Sequence, residues 1–318
     1  MRSVYVLLSI AGILPSAFWG QANVRQQLHQ AFAFQEQGHF DKVIALVPAL
    51  IQSGSLAPRE EGQTWTVLAF AYEEEGDLSR AQDSYEQALR ILKGDEQFAR
   101  DYAIALENFA NLYREIGRLD DAVRLATKAF HLFQRLNSHD GIARSCASLA
   151  SFELARKKLR KSEQYLVMAA RQAAVADGLD EDYYADLSAT QAWHAALSGD
   201  ANAALSGYRH SLDLWRHKHG EEHMITGWGY ILLGQADAQA GNKQTALDNM
   251  RRGLAILNHV LGPHNPKYLL GEIAYSQTLE ATGARNEAIA IRIKAKMELA
   301  AFYHAQCADC RINVTALR

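Results

Sequence analysis

The sequence is poor in proline and has no excess of basic residues. Only 5 Pro occur in 318 residues, which points away from a loop-rich all-β fold. The 33 Lys and Arg are balanced by 36 Asp and Glu, so no basic surface for nucleic acid is predicted. With 48% hydrophobic and 22% charged residues, the composition is that of a folded chain and excludes wholesale disorder.

The sequence patterns of common enzymes are also missing. The chain has no GxxxxGK[ST] phosphate loop, no GxGxxG after a strand, no HExxH and no GxSxG. The Glu-rich stretch 73–75 is interpreted as solvated helix surface rather than as paired acid–base carboxylates. We therefore expect no catalytic activity and no cofactor.

Residues 1–22 have the pattern of an export signal. A short positive start precedes an uncharged, mostly apolar run from Val4 to Trp19, which is shorter than the ~20 residues of a membrane-spanning helix. Gly20 and Ala22 supply small residues at the −3 and −1 positions of a cleavage site. The pattern predicts cleavage after Ala22 and a periplasmic or secreted protein, with an uncleaved N-terminal membrane anchor as the alternative. No later stretch predicts contact with a membrane.

Three cysteines are compatible with export. Cys307 and Cys310 are close enough for a local disulfide, while Cys146 lies alone in a helical stretch. A redox pair is one alternative, although redox function favours a first cysteine at a helix N-terminus beside a strand. A zinc site that includes His304 is another, but no fourth ligand is apparent.

A dense histidine group between positions 210 and 223 is a second metal candidate. His217 and His219 are two residues apart at a predicted helix end, so their side chains point in different directions. His223 falls in a loop between predicted units. No specific metal site is therefore predicted.

An internal repeat of helix, turn glycine and helix runs through most of the chain. The turn position recurs every 38 to 42 residues, which indicates a repeat architecture. The turn residues are Gly38, Gly76, Gly117, Lys157, Gly199, Gly241 and Gly283. Because Lys157 replaces glycine, the fourth turn is expected to differ from the others.

The second unit shows the pattern most clearly. Trp65, Leu68, Ala69 and Tyr72 follow the i, i+3, i+4, i+7 spacing of one helix face, and Gly76 ends that helix. The apolar positions of a second helix then follow. This pattern strongly resembles the tetratricopeptide repeat, and the loop 262–266, Gly-Pro-His-Asn-Pro, resembles the loop of the kinesin-light-chain subtype.

Small residues recur where two helices of a unit are expected to cross closely. Three crossing positions per unit are occupied by Ala, Gly or Ser everywhere except at Val43 and Leu50 of the first unit. The positions are 31, 43, 50; 69, 81, 88; 110, 122, 129; 150, 162, 169; 192, 204, 211; 234, 246, 253; and 276, 288, 295. A larger side chain at such a crossing would push the helices apart.

The resemblance implies an all-α, right-handed α-solenoid of about seven helix hairpins over residues 23–304. The predicted units lie near 24–57, 62–95, 103–136, 143–176, 185–218, 227–260 and 269–304. The first unit is irregular, because Pro48 should kink or shorten its second helix. Residues 305–318, with the two tail cysteines, form a tail without repeat character.

The resemblance also implies a concave groove lined by the first helix of each unit. Its inward positions are Phe32, Phe70, Asn111, Ser151, Trp193, Gln235 and Gln277, with Asn108 and Thr190 one turn earlier. We expect an extended or helical peptide, or a protein segment, to bind there, centred on Asn108, Asn111, Arg114 and Trp193. The amide side chains would pair with a peptide backbone and the indole would anchor it. The alternatives are a solvated inner wall, a regulator that senses a peptide or ligand, and a redox or metal accessory protein.

Overall fold

The computed structural model describes residues 16–306, with side chains from 24 to 305. In this range the chain forms fourteen α-helices and a short 3₁₀ helix, Glu96–Phe98, and no strand. The α-helices are α1 Ser16–Glu36, α2 Phe40–Gln52, α3 Pro58–Glu74, α4 Leu78–Leu92, α5 Ala99–Glu115, α6 Leu119–Arg135, α7 His139–Ala155, α8 Leu159–Ala173, α9 Glu181–Leu197, α10 Ala201–His219, α11 Met224–Gln239, α12 Lys243–Leu261, α13 Pro266–Thr282 and α14 Arg285–Gln306. The predicted all-α class is confirmed.

The helices form seven consecutive hairpins, which we number as units 1 to 7. The most extensive contacts lie within the hairpins from unit 2 onward, and each unit then packs on the next. Six of the seven first helices begin three or four residues earlier than their predicted units. The predicted α-solenoid is confirmed, because contacts between neighbouring units build the molecule.

The structure buries the positions at which the small-residue pattern predicts that two helices cross. All of them are buried, and Ala69, Ala110 and Ala295 have no exposed surface. A Cβ atom added to Gly253 would lie 2.5 Å from the carbonyl oxygen of Gly227 on the partner helix. Helices that approach this closely exclude larger side chains, so the sequence pattern follows directly from packing.

The fourth turn does not differ from the others. Lys157 has φ of +59°, in the same left-handed region as the turn glycines, for example Gly76 at +82°. The expectation of a different turn was wrong, because the hydrogen bonds that close the helix are retained. The Lys157 and Lys158 amides donate to carbonyls of α7. A lysine tolerates this conformation at a cost of about 1–2 kcal/mol.

Pro48 lies inside α2 without ending it. The helix continues for four residues beyond the proline to Gln52, although α2 is the shortest α-helix in the described part of the chain. Val43, Val47 and Leu50 form its buried face and hold it against its neighbours. Tertiary packing therefore outweighs the local penalty of the proline.

Ion pairs and hydrogen bonds connect successive units at the beginnings of their first helices. The Arg59 guanidinium donates to Asp101 at 2.6 Å, joining units 2 and 3. Arg100 pairs in the same way with Asp140 of unit 4. Burial opposes ionisation of Asp140, but hydrogen bonds from Arg100 and Ser138 lower its pKa to about 2. These bonds fix the rotation of each first helix relative to the next.

Unit 7, at one end of the solenoid, touches unit 2 near the other end. Lys267 at the beginning of α13 donates to the carboxylate of Glu74 at the end of α3, 193 residues earlier. The ring of Phe302 on α14 covers Gly76, whose added Cβ would lie 2.8 Å from the ring carbon Cζ. Unit 7 therefore packs against unit 2 as well as against unit 6.

This contact corrects the interpretation of the Glu-rich stretch. Glu73 and Glu74 are 5% and 6% exposed, and only Glu75 faces solvent. Glu73 accepts a hydrogen bond of 2.8 Å from the buried hydroxyl of Tyr85. The prediction of solvated surface was wrong at these two positions, because a distant part of the chain covers them.

The N-terminal and C-terminal predictions fall mostly outside the described residues. The apolar run and the tail cysteines, Cys307 and Cys310, are not covered. Helix α1 begins at Ser16 and continues past Ala22, the residue before the predicted cleavage site. Within residues 16–306, no helix combines the length and apolar character needed to cross a membrane.

Candidate functional site

Six of the predicted groove residues lie on the first helices of four units. Asn108, Asn111 and Arg114 belong to α5 and are partly exposed, while the residues between them, such as Phe109 and Leu112, are buried. On other units, Trp193 of α9 and Gln235 of α11 are partly exposed, and Gln277 of α13 is exposed. The helix periodicity therefore places these polar side chains on the face of each helix that the core does not use.

Two apolar side chains that the sequence-based prediction missed extend this face. Ile104 precedes Asn108 by one turn and is 39% exposed, and Leu197 follows Trp193 by one turn and is 46% exposed. Trp193 packs against the hydrophobic cluster of units 5 and 6, so its ring is held in place. The predicted groove face thus carries amide groups beside partly exposed apolar side chains. The spacing of four residues was the signal that would have identified both.

A buried carboxyl group lies beside the groove residues of α5. Glu107 is 8% exposed and accepts a hydrogen bond of 3.1 Å from the Ser148 hydroxyl on α7. Burial raises the pKa of Glu107 to about 7, although the hydrogen bond from Ser148 and the charge of Arg144 oppose the rise. The protonation state of this group therefore changes near neutral pH.

A charged network fixes the start of α9, the helix that carries Trp193. Asp180 accepts hydrogen bonds from Arg144 at 3.0 Å and from Lys218 at 2.7 Å. Burial opposes ionisation, but the bonds from Lys218 and Arg144 lower the pKa of Asp180 to about 2. Lys218 also donates to Asp182. The network ties α7, α9 and α10 together.

The histidine group has structural contacts. His217 lies 2.9 Å from the Glu181 carboxylate, and His219 lies 2.6 Å from that of Asp182. The rings of His219 and His223 stack with centroids 4.5 Å apart, and His223 Nδ1 accepts a hydrogen bond from the Ile225 amide. Burial and the neighbouring His219 lower the pKa of His223 to about 4. Among the described residues, no three His, Cys, Asp or Glu side chains converge as a metal site requires.

Comparison with known proteins agrees with this architecture. The family model of the tetratricopeptide repeat matches residues 60–135 and 187–259. The chain contains tetratricopeptide repeats. The matched ranges cover units 2 and 3 and most of units 5 and 6, while the divergent units 1, 4 and 7 lie outside them. No curated protein matches the sequence.

Several solved structures are similar to this chain over most of its length. The Rap conjugation gene regulator of plasmid pLS20, in complex with the Phr* peptide, aligns with a TM-score of 0.70 at 14% identity, covering 97% of this chain and 82% of that one. The apo form of RapI aligns at 0.63 and 13% identity, covering 88% and 99%. The TPR-like repeats of a Podosopora anserina kinesin light chain align at 0.45 and 17% identity, covering 65% and 98%. The first two alignments show a common fold.

Proposed function

We propose that this protein is a non-catalytic interaction scaffold that binds an extended peptide or protein segment in its groove. The observation that carries the proposal is the partly exposed row of Asn108, Asn111 and Trp193 on helices whose other faces are buried. A similarly folded protein, the pLS20 Rap regulator, was solved with a peptide bound. That likeness supports a peptide as the ligand class.

The chemistry of the groove favours a peptide backbone over a charged small molecule. Each Asn or Gln side chain offers one acceptor and two donors, so it pairs with a backbone amide whatever the peptide sequence. The half-buried Trp193 and the exposed Leu197 provide apolar contacts one turn apart. Trp is among the residues that contribute most to binding free energy at protein interfaces. We expect recognition by shape and backbone pairing, with one apolar anchor residue in the ligand.

A peptide display experiment tests the proposal. Peptides of about twelve residues would be selected on the full chain and their affinities measured by titration calorimetry. The variant Asn111→Ala/Trp193→Ala should bind them at least about tenfold more weakly, because it loses a backbone pair and the anchor. Its helicity, measured by circular dichroism, should be unchanged, since both side chains are partly exposed.

The matched control changes two exposed residues on the outer face of α8. Gln164→Ala/Val167→Ala also removes one amide and one apolar side chain, and both residues are exposed. Selected peptides should bind this variant as they bind the unmodified chain. Equal losses of affinity in both variants, or loss of helicity with loss of binding, would contradict a groove site.

The proposal includes an exported location. The apolar run 4–19 and the small residues 20 and 22 support it. N-terminal sequencing of protein from the exported fraction of expressing cells should begin at Asn23. An N-terminus at Met1 in a soluble cytosolic fraction would contradict export without affecting the groove.

A further inference from the structure

The contact between units 2 and 7 joins side chains that are far apart in the sequence. Asn265 caps α13 by accepting a hydrogen bond from the Lys267 amide, and Pro266 occupies its first turn. This cap holds Lys267 so that its ammonium group reaches the Glu74 carboxylate. Solenoid units are stabilised by their nearest neighbours, so this bond can open while every unit stays folded.

Charge in this contact is unbalanced. Lys267 faces three carboxyl groups, those of Glu74, Glu115 and Glu73. Burial and the charge of Glu115 raise the pKa of Glu73 well above its ordinary value, and burial also raises that of Glu74. An ion pair taken out of water returns little net free energy. Lys267 therefore compensates carboxyl groups that burial makes costly to ionise.

Aromatic side chains complete the contact. Phe302 lies over Gly76, and the next residue, Tyr303, is 8% exposed and belongs to the same hydrophobic cluster as Tyr72 and Tyr113 of units 2 and 3. Because Gly76 has no side chain, the ring approaches the backbone directly. Leu269, Ile273 and Leu299 of unit 7 are buried in this cluster too, so the two rings extend an apolar contact between unit 7 and the first units.

The contact is continuous with the groove through α5. Burial, together with the charge of Glu115, raises the pKa of Tyr303, while the charges of Lys267 and Arg114 lower it. Arg114 was predicted from the sequence as a groove residue, and Asn111 lies one turn before Glu115 on the same helix. A ligand on the α5 part of the groove would therefore lie next to the closing contact.

We propose that Lys267, Glu74, Gly76 and Phe302 form a latch that holds the solenoid closed and limits entry of a peptide into the groove. The gating part of this inference rests on the proposed function. The latch itself does not, because it is a property of the free chain. Opening it separates unit 7 from unit 2 and leaves each helix hairpin intact.

Small-angle X-ray scattering of the full chain tests the latch without a ligand. A compact chain of 318 residues has a radius of gyration of about 20 Å. Lys267→Met and Phe302→Ala, made separately, should each raise the measured radius by about 1–2 Å, the scale expected when one of seven units swings away. Hydrogen exchange should accelerate in α13 and α14 and stay unchanged in α9 and α10.

The control is Lys294→Met in the same hairpin. Lys294 makes only a local surface pair with Glu298 at 3.9 Å, so its loss should leave the radius unchanged. Circular dichroism identifies any variant that has unfolded, and Phe302→Ala still decides the question if Lys267→Met does not fold. An unchanged radius and unchanged exchange in a folded latch variant would overturn the latch.

Peptide association kinetics test the gating. With peptides selected on the unmodified chain, Lys267→Met should associate at least about tenfold faster, because more molecules are open at any moment. An unchanged association rate despite a larger radius would overturn the gating. Failure to select any peptide would count against the proposed function alone, since the scattering comparison decides the latch independently.

Discussion

Replacing Glu107 with glutamine should stabilise the protein above neutral pH. Glu107 is buried, and its hydrogen bonds come from neutral groups, the hydroxyls of Ser148 and Ser145. Arg144, the nearest cation, is already paired with Asp180 at 3.0 Å. Ionised Glu107 is therefore poorly compensated. Glutamine keeps an acceptor for the Ser148 hydroxyl and removes the charge.

The size of the effect follows from the pKa. Burial raises the pKa of Glu107 from 4.5 to about 7, so between these values the folded protein holds the proton more tightly than the unfolded chain. The free energy of unfolding therefore falls as pH rises through this window. Since each pH unit corresponds to ~1.4 kcal/mol, the loss at pH 8 is about 3 kcal/mol. At pH 5 it is below about 1 kcal/mol.

Urea denaturation at pH 5 and pH 8 measures the difference. Glu107→Gln should match the unmodified chain at pH 5 and exceed it by about 3 kcal/mol at pH 8. The control is Glu153→Gln, because Glu153 is fully buried but accepts a hydrogen bond from Lys161 at 2.8 Å. That variant should lose stability at both pH values. If Glu107→Gln behaves in the same way, the explanation by uncompensated burial is refuted.

Three further predictions concern backbone and packing. Gly141→Ala should lower the free energy of unfolding by about 1–3 kcal/mol, because its Cβ would lie 2.2 Å from the Phe133 ring; a gain would contradict this packing. Pro48→Ala should raise it by about 1–3 kcal/mol by restoring an amide donor inside α2; no gain would show that α2 has adapted. Lys157→Gly should raise it by about 1 kcal/mol, since φ is +59°, and a loss would show that the lysine has stabilising contacts. Urea denaturation measures all three.

Packing inside the units was predictable because it depends on neighbours in sequence. The helices of a unit meet at fixed positions, so Ala69, Ala110 and Gly253 could be assigned to crossings from their spacing alone, and all are buried. The exposure of Asn108 and Asn111 followed from the same periodicity. Whether these groove residues bind a partner stays a prediction.

Features that depend on the path of the whole chain were not predictable. Glu73 and Glu74 are charged residues at a helix end, which predicts exposure to solvent. In the structure Lys267 and Phe302 of unit 7 lie against this end of α3 and bury it. The prediction that the turn at Lys157 would differ from the glycine turns was wrong for a different reason. The preference for glycine is only ~1–2 kcal/mol, and packing of the flanking helices exceeds it.

The amino-acid pattern alone was sufficient to establish paired helices, their number, their crossings and the helix face that the core does not use. The pattern that predicts these properties recurs every 38 to 42 residues, so each unit supports the same prediction. Closure of the solenoid on itself was decided only in three dimensions. It depends on the small rotation between each unit and the next, which accumulates over seven units. The total rotation cannot be predicted from the sequence of any single unit.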